Sequence, residues 1–328
     1  TPDAEEWDMA VKPMNCDGGM IIYNSIPRSY KDFPLRMGEL GVVHRYESSG
    51  ETTGLLRVRE FTQDDAHIYC TPKQIKNELK RVIDLCFEVY KTFDLELDHL
   101  ELSTQPENYI GSDEAWEEAE KIMRQVLKEK DVPHEINEGE GAFYGPKFDF
   151  HLKDTLDRTW QCATIQLDFA QPENFDLEYT TKEGTKERPV MIHRVIYGSI
   201  ERFLGILIEN CAGNFPLWLA PVQAVVIPIS KDQVEYAQGV AEKVQNSVEN
   251  ATGVFRIEVD SNDDTLEKKI RNAEIKKIPY MLIVGGREEA AGDEVSLRIR
   301  DEGDVGTVKI SEFAERAQDK ISRKSLAL

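Results

Sequence analysis

The sequence has no uninterrupted apolar run approaching the ~18 residues that a membrane-spanning helix requires, and no charged-then-apolar leader opens it. Both absences argue for a soluble chain with no membrane partner. Cysteine is sparse: five residues at irregular spacing, an odd total without a CxxC pair, make no disulfide framework and fit a reducing cytoplasmic setting. Basic residues are also short, 40 Lys and Arg against 61 Asp and Glu, for a net charge of −21. That balance opposes phosphate binding over the whole surface. A local basic groove on an acidic protein still suits RNA, because net charge is a sum over the entire surface. The 328 residues, 40% hydrophobic, are enough for a substantial core and two domains.

The densest chemistry lies in residues 35–69, LRMGELGVVHRYESSGETTGLLRVREFTQDDAHIY. Residues 41–47 read as a strand on which Arg45 and Glu47 share a face, and residues 48–54 as a flexible loop. From 57 to 67 every odd position, Arg57, Arg59, Phe61, Gln63, Asp65 and His67, carries a polar, aromatic or titratable group. On a strand these alternate positions form one row roughly 33 Å long. The row is either the solvated outer face of an antiparallel sheet or a ligand surface that satisfies its polar groups. Arginines on both arms of such a hairpin suit an extended polyanion such as a triphosphate.

Elsewhere the pattern alternates between scaffold and glycine-rich turns. Residues 1–10 are acidic and show no clear element. Thr71 and Pro72 open a helix whose Ile75, Leu79, Val82, Ile83, Cys86, Val89 and Tyr90 keep a helical period, so Cys86 reads as core. Residues 95–102 alternate as a strand, and Ser112 caps a helix with Trp116, Ala119, Ile122, Met123, Val126 and Leu127 inward. His99 and His134 sit near element ends and receive no role. Residues 139–147 form a glycine-rich turn that brings Tyr144 and Lys147 toward a cleft or is a plain hairpin. Residues 159–169 read as a strand in which Gln161 and Gln166, an odd spacing apart, face opposite ways unless a bulge intervenes.

Residues 190–196 read as a strand with His193 facing away from Ile192 and Arg194. The following helix places Gly198, Arg202 and Gly205 on one face, open to a flat ligand, and Ile200, Phe203, Leu204, Leu207, Ile208 and Cys211 on the core face. Each helical glycine costs about 1 kcal/mol relative to alanine, so a packing or ligand reason is expected. A proline-bounded segment, residues 214–221, separates two domains, 1–216 and 217–328. Beyond it strands at 222–229, 254–259 and 280–285 alternate with helices at 233–248 and 266–275, the order of a largely parallel sheet covered by helices. Strands at 295–300 and 307–310 and a helix from 311 to about 323 follow. By spacing alone, Cys16, His67 and His193 are too dispersed to define a metal site.

Several of these segments carry a resemblance. The Arg45, Tyr46, Glu47 run is similar to motif 2 of class II aminoacyl-tRNA synthetases, and RVREFTQDDAHIY, GAFYGPK, QCATIQLDF and residues 189–213 resemble the threonyl-tRNA synthetase family over nearly the whole chain. The resemblance implies an α/β protein: an α+β catalytic domain with an antiparallel sheet flanked by helices, then a smaller anticodon-binding domain with a mixed, mostly parallel sheet. Motif 1 and the editing region of that family have no counterpart here, which implies an amino-terminally incomplete core. The segment Lys12 to Cys16 resembles KPMNCPGH, but Asp17 and Gly19 stand where the family has proline and histidine.

The resemblance implies a threonine–tRNA ligase that uses L-threonine, ATP with Mg²⁺ and tRNA(Thr), works as a homodimer, and holds one Zn²⁺ through Cys16, His67 and His193. It assigns Arg45 to the α-phosphate, Phe61 and Arg202 to the adenine, with Arg202 also reaching the γ-phosphate, and Glu47, Arg57 and Gln161 to the nucleotide site. Lys147 would lie near the adenylate, and Gln63, Asp65, Tyr144 and Gln166 near the amino acid. Glu289 and Arg298 would contact the anticodon, and Glu267 replaces a frequent family glycine. A non-catalytic tRNA-binding module and a class II synthetase for another amino acid are the competing readings; Arg45, Glu47, Phe61 and Arg202 weigh against the first, which the missing motif 1 favours, and the zinc-type ligand set weighs against the second.

Overall fold

A computed structural model describes residues 11–249 and 253–328; the acidic segment 1–10 lies outside the described residues. The chain divides into two compact units, Thr1–Asn210 and Cys211–Leu328, so the proline-bounded segment read as a boundary opens the second unit.

In the first unit the elements run α1 (Cys16–Asn24), β1 (Leu35–His44), β2 (Glu60–Cys70), α2 (Ile75–Thr92), β3 (Leu97–Ser103), α3 (Asp113–Lys130), β4 (Glu135–Asn137), β5 (Lys147–Lys153), β6 (Thr159–Asp168), α4 (Gln171–Asn174), β7 (Tyr179–Thr180), β8 (Lys186–Glu187), β9 (Val190–Val195) and α5 (Ile200–Asn210). Seven strands form one sheet in the order β1-β2-β9-β6-β5-β3-β4, antiparallel except for the β3 and β4 pair. Helices α2 and α3 cover one face, burying the apolar positions that the 3.6-residue period selects. Ser112 caps α3 through Oγ, which accepts from Ala115 N at 3.3 Å. The other face carries the polar row and is left open for a cavity.

Two local features set that face. Helix α1 was not evident from the sequence; it buries Met20 and Tyr23 among Phe33, Tyr69, Tyr179 and Met191, which fixes Cys16 in its first turn beside β2 and β9. Strand β6 carries one extra residue against β5: Asp149 pairs with Thr164, but His151 pairs with Gln161. The Tyr90 hydroxyl accepts from Ala163 N at 2.9 Å inside this bulge and donates to Ile196 O at 3.1 Å.

Helix α5 departs from its expected orientation. Ile206 is buried, while Leu204 and Ile208 are each 41% exposed. Gly205 packs on Leu56, where a Cβ would lie 3.2 Å from Cδ2, so a protein side chain fills the space read as open to a ligand and the buried arc is rotated toward Phe203 and Ile206.

The second unit contains β10 (Ala224–Pro228), α6 (Val234–Ser247), β11 (Ile257–Val259), α7 (Leu266–Ile275), β12 (Tyr280–Val284), α8 (Gly286–Ala291), β13 (Glu294–Ile299), β14 (Gly303–Lys309) and α9 (Ile310–Ser322). Its five-stranded sheet, β11-β10-β12-β13-β14, is parallel from β11 to β12 and antiparallel beyond. Strands β10 and β12 are buried throughout, as strands covered on both faces must be. The short helix α8, too brief to show a period, is an addition to the expected order.

Candidate active site

The open face of the first sheet holds a cavity of about 400 Å³. Its walls include Arg45, Glu47, Arg57, Phe61, Gln63 and Asp65 from the β1–β2 arm, and Tyr144, Lys147, Gln161 and Gln166 from β5, β6 and the turn before them. Cys16, His193 and Arg202 complete the set. Of the six-residue row, Phe61, Gln63, Asp65 and His67 keep one face along β2, and Arg57 also reaches the cavity. Arg59 does not: it is exposed, its Nε donates to Glu47 O at 3.1 Å and its guanidinium lies over Tyr46. The parity fails because β2 begins only at Glu60, after an irregular turn closed by the Thr53 to Arg57 bridge.

One end of the cavity is cationic. Arg57 pairs with Glu47 at 2.9 Å and with Glu51 at 3.3 Å. Arg45 lies over the Phe61 ring at 5.3 Å, and its Nε donates to Pro13 O over a long 3.4 Å. Arg202 is held by two backbone carbonyls, Leu56 O and Gln161 O, each at 2.7 Å, with its guanidinium 5.4 Å from the Trp160 ring centre. Gly198, at φ +76° before α5, lines the cavity; a Cβ there would overlap the Cys162 carbonyl oxygen.

The bulge decides the glutamine question. It turns Gln161 and Gln166 to the same side although their spacing is odd. Gln161 Nε2 donates to Asp149 Oδ1 at 2.5 Å and to Thr164 Oγ1 at 2.9 Å, while Gln166 Nε2 donates to Gly145 O at 3.0 Å. Lys147 Nζ pairs with Asp149 Oδ2 at 2.6 Å, which makes Asp149 a buried hub for the β5 and β6 side of the cavity.

The other end carries metal-type donors. Cys16, His67 and His193 are all buried, and one ligand atom from each lies within 4.8 Å of the others. Cys16 Sγ is 3.4 Å from His193 Nδ1, and His193 Nε2 donates to Asp168 Oδ2 at 2.8 Å. His67 Nε2 is buried with no hydrogen-bond partner. Burial, then the neighbouring His193 and Arg194, lowers the His67 pKa to about 3, so the ring is neutral and presents a lone pair. Burial opposes protonation of His193, but hydrogen bonds to Asp168 and Cys16 outweigh it and raise the pKa to about 10. An orphaned imidazole nitrogen, a thiol and a carboxylate-oriented histidine are donors of the type that bind Zn²⁺.

Around this triad, Asp65 accepts from Asn15 Nδ2 at 3.3 Å, and burial raises its pKa against that bond. Gly41 makes room for Asn15, whose side chain a Cβ at 41 would overlap. The half-buried Tyr144 ring stands 5.2 Å from His193. At Gly19, where the family has histidine, a Cβ would make ordinary contacts, 3.4 Å from the Tyr69 hydroxyl and 3.5 Å from His67 Nδ1.

Sequence reasoning missed Asp168, Asp149, Trp160 and Asn15. Asp168 and Gln166 share a face by simple alternation on β6, a signal that was available. The partnerships of Asp149, Trp160 and Asn15 depend on the bulge and on α1. Glu289 and Arg298 lie in the second unit, on α8 and β13; Glu289 accepts from Gln233 Nε2 at 3.4 Å and Arg298 lies 3.9 Å from Glu274.

Residues 1–211 match the class II tRNA synthetase core domain of the G, H, P, S and T group, and residues 223–320 match an anticodon binding domain. Threonine–tRNA ligase of Caldanaerobacter subterraneus subsp. tengcongensis is 54% identical over 317 residues, covering 97% of this chain and 48% of that protein. The Clostridioides difficile enzyme of the same name is 53% identical over 327 residues, covering 99% and 50%. The chain thus spans about half the length of the curated relatives it matches. Among solved structures, the RNA binding domain of threonyl-tRNA synthetase from Cryptosporidium parvum superposes with a TM-score of 0.86 at 40% identity, covering 94% of this chain and 76% of that one. A putative threonyl-tRNA synthetase from Aeropyrum pernix gives 0.75 at 30% identity, covering 96% and 76%. By its sheet, its matched core and these relatives, the chain belongs to the class II tRNA synthetase family, among the threonyl-tRNA synthetases.

Proposed function

We propose that the chain carries the threonine-activating and anticodon-reading parts of a cytoplasmic threonine–tRNA ligase, with Arg45, Lys147 and Arg202 as its catalytic side chains. The observation that carries this reading is one cavity lined by Arg45, Arg57 and Arg202 together with Cys16 and His193, whose donor atoms lie within 4.8 Å of buried His67. Such a cavity matches an amino acid joined in line to the α-phosphate of ATP.

Phe61 and Arg202 flank the adenine in this reading. Arg45 then swings off the Phe61 face to the α-phosphate, giving up only a long bond to Pro13 O. Glu47, Arg57 and Gln161 complete the nucleotide site, with Mg²⁺ entering on the ATP phosphates, and Lys147 stands on the adenylate side. Preorganised charge of this kind lowers the barrier by positioning rather than by covalent chemistry.

Zn²⁺ held by Cys16, His67 and His193 would supply a Lewis-acidic anchor with open positions for the amino and hydroxyl groups of threonine. Asp65 accepts a proton-bearing group of the substrate, while Gln63, Tyr144 and Gln166 close around the amino acid. A site that bonds the hydroxyl rejects valine by roughly 10⁴-fold or more, which an apolar pocket cannot do. In the second unit Glu289 and Arg298 contact the tRNA(Thr) anticodon. β1 stands at a sheet edge with Leu40 74% and Val42 41% exposed, a surface that a second copy would cover in a homodimer. No helix among the described residues is long and apolar enough to cross a membrane.

Threonine-dependent ATP–pyrophosphate exchange, with serine and valine as competitors and zinc counted on the same sample, tests the reading. Exchange with threonine, little with valine and a zinc lost on Cys16→Ser support it. No exchange from folded, zinc-loaded dimer overturns it in favour of a tRNA-binding module.

A further inference from the structure

Outside the cavity, one cluster of donor side chains is not absorbed by the proposed reaction. His99 on β3 and His151 on β5 are cross-strand partners, and their rings stack at 4.3 Å with 7° between planes. Both Nε2 atoms face the carboxylate of Glu101, two residues along β3 on the same face: His99 Nε2 is 3.2 Å from Oε1 and His151 Nε2 is 3.5 Å from Oε2. One ligand atom from each of the three residues lies within 4.8 Å of the others.

Surrounding groups orient this cluster. His99 lies between two carboxylates, Nδ1 2.8 Å from Asp98 Oδ2 and Nε2 3.2 Å from Glu101 Oε1; with its one proton on Nδ1, the Nε2 lone pair points at the cluster. Asp98 is itself held by Lys153 at 3.0 Å and by Thr159 Oγ1 at 3.3 Å, and Glu101 Oε2 accepts from Asn137 Nδ2 at 3.0 Å. A carboxylate behind a histidine is the usual support of a metal ligand.

One nitrogen of the cluster lacks a partner. His151 Nε2 is buried and makes no hydrogen bond. Protonating both rings would stack two like charges over one shared carboxylate. A cation between the two nitrogens and the Glu101 oxygen satisfies all three.

We propose that His99, His151 and Glu101 form a second site for a divalent transition cation of the zinc type, bracing β3 against β5, with Asp98 as its orienting group. Two imidazoles and one carboxylate are a known zinc donor set. Metal–nitrogen bonds of about 2.0–2.1 Å require the donors to draw in from their present spacing, which rotation of half-buried side chains supplies. The site lies on the cavity face of the sheet, four residues along β5 from Lys147, or roughly 13 Å at the strand rise. It is independent of the threonine reading, because none of its ligands touches the proposed substrates.

Zinc and cobalt binding to the 328-residue chain tests it. The wild type should hold two Zn²⁺ per chain. The double variant Cys16→Ser, His67→Gln, which breaks the cavity site, should hold one, and its Co²⁺ form should lack the near-ultraviolet thiolate-to-cobalt charge-transfer band. Adding His151→Gln should remove that remaining equivalent, and Asp98→Asn should weaken it about 10- to 100-fold. Far-ultraviolet circular dichroism checks that each variant is folded. Should His151→Gln fail to fold, the stoichiometry of the double variant decides by itself. A folded double variant that binds no metal overturns the proposal, and so does one that keeps its metal after His151→Gln.

Discussion

Asp168 Oδ2 lies 2.8 Å from His193 Nε2, and Asp168 has no solvent exposure at all. The bond fixes the imidazole so that Nδ1 faces Cys16, 3.4 Å away. Asp168→Asn keeps the shape but puts an amide NH2, a donor, where the anionic Oδ2 accepted from His193 Nε2, so zinc affinity should fall about 10- to 100-fold. A chelator-competition titration measures this. The fold should survive, because the other oxygen, which accepts from Ala170 N and Gln171 N, is retained.

Arg202→Lys should lower pyrophosphate exchange about 10²-fold. A lysine preserves the charge but cannot reach Leu56 O and Gln161 O together or lie flat against Trp160. The loss should appear in kcat and in KM for ATP, with KM for threonine nearly unchanged. An exchange rate within threefold of wild type would remove Arg202 from the nucleotide site.

Tyr90→Phe deletes the hydroxyl that accepts from Ala163 N within the β6 bulge. A buried amide left unpaired costs about 1–3 kcal/mol. The urea midpoint should drop accordingly. Gln161 should lose its fixed position, raising KM for ATP although Tyr90 lies outside the cavity.

Asp154 ties acid stability to the loop before β6. Burial would raise its pKa, but bonds from Trp160 Nε1 and the Arg158 and Leu156 amides at 2.9 Å, with Arg158 Nε at 2.6 Å, hold it at about 2 against an ordinary 3.8. A folded pKa below the unfolded one stabilises the protein above about pH 4, and this contribution is lost as pH falls toward 2. It amounts to about 2 kcal/mol. Asp154→Asn should therefore lower stability at pH 7 and flatten its fall between pH 4 and 2, measured by urea unfolding at stepped pH.

Much of this molecule is legible in its residue order. The helices at 75–92, 113–130 and 266–275 follow from apolar period and caps, because a helix must bury one stripe whatever its neighbours. The row Phe61, Gln63, Asp65 and His67 follows from strand alternation, and the motif-like segments marked the residues that line the cavity. Local rules fail where a residue's direction depends on distant atoms. Arg59 leaves the row because the turn before Glu60 breaks the parity, and Leu204 and Ile208 face outward because Leu56 occupies the groove at Gly205. His99 was set aside for want of a partner in sequence; its partner, His151, arrives only when β5 pairs with β3.

The sequence by itself determined the long periodic helices and most strands, though not the short helices α1 and α8, and which side chains are chemically able to serve, since period, caps and side-chain type act over a few residues. Tertiary structure alone decided that Cys16, His67 and His193 converge, that an extra residue in β6 turns Gln161 toward the cavity, and that His99 meets Glu101 and His151. Those outcomes depend on strand register and helix docking, which are fixed by packing between residues far apart in the chain.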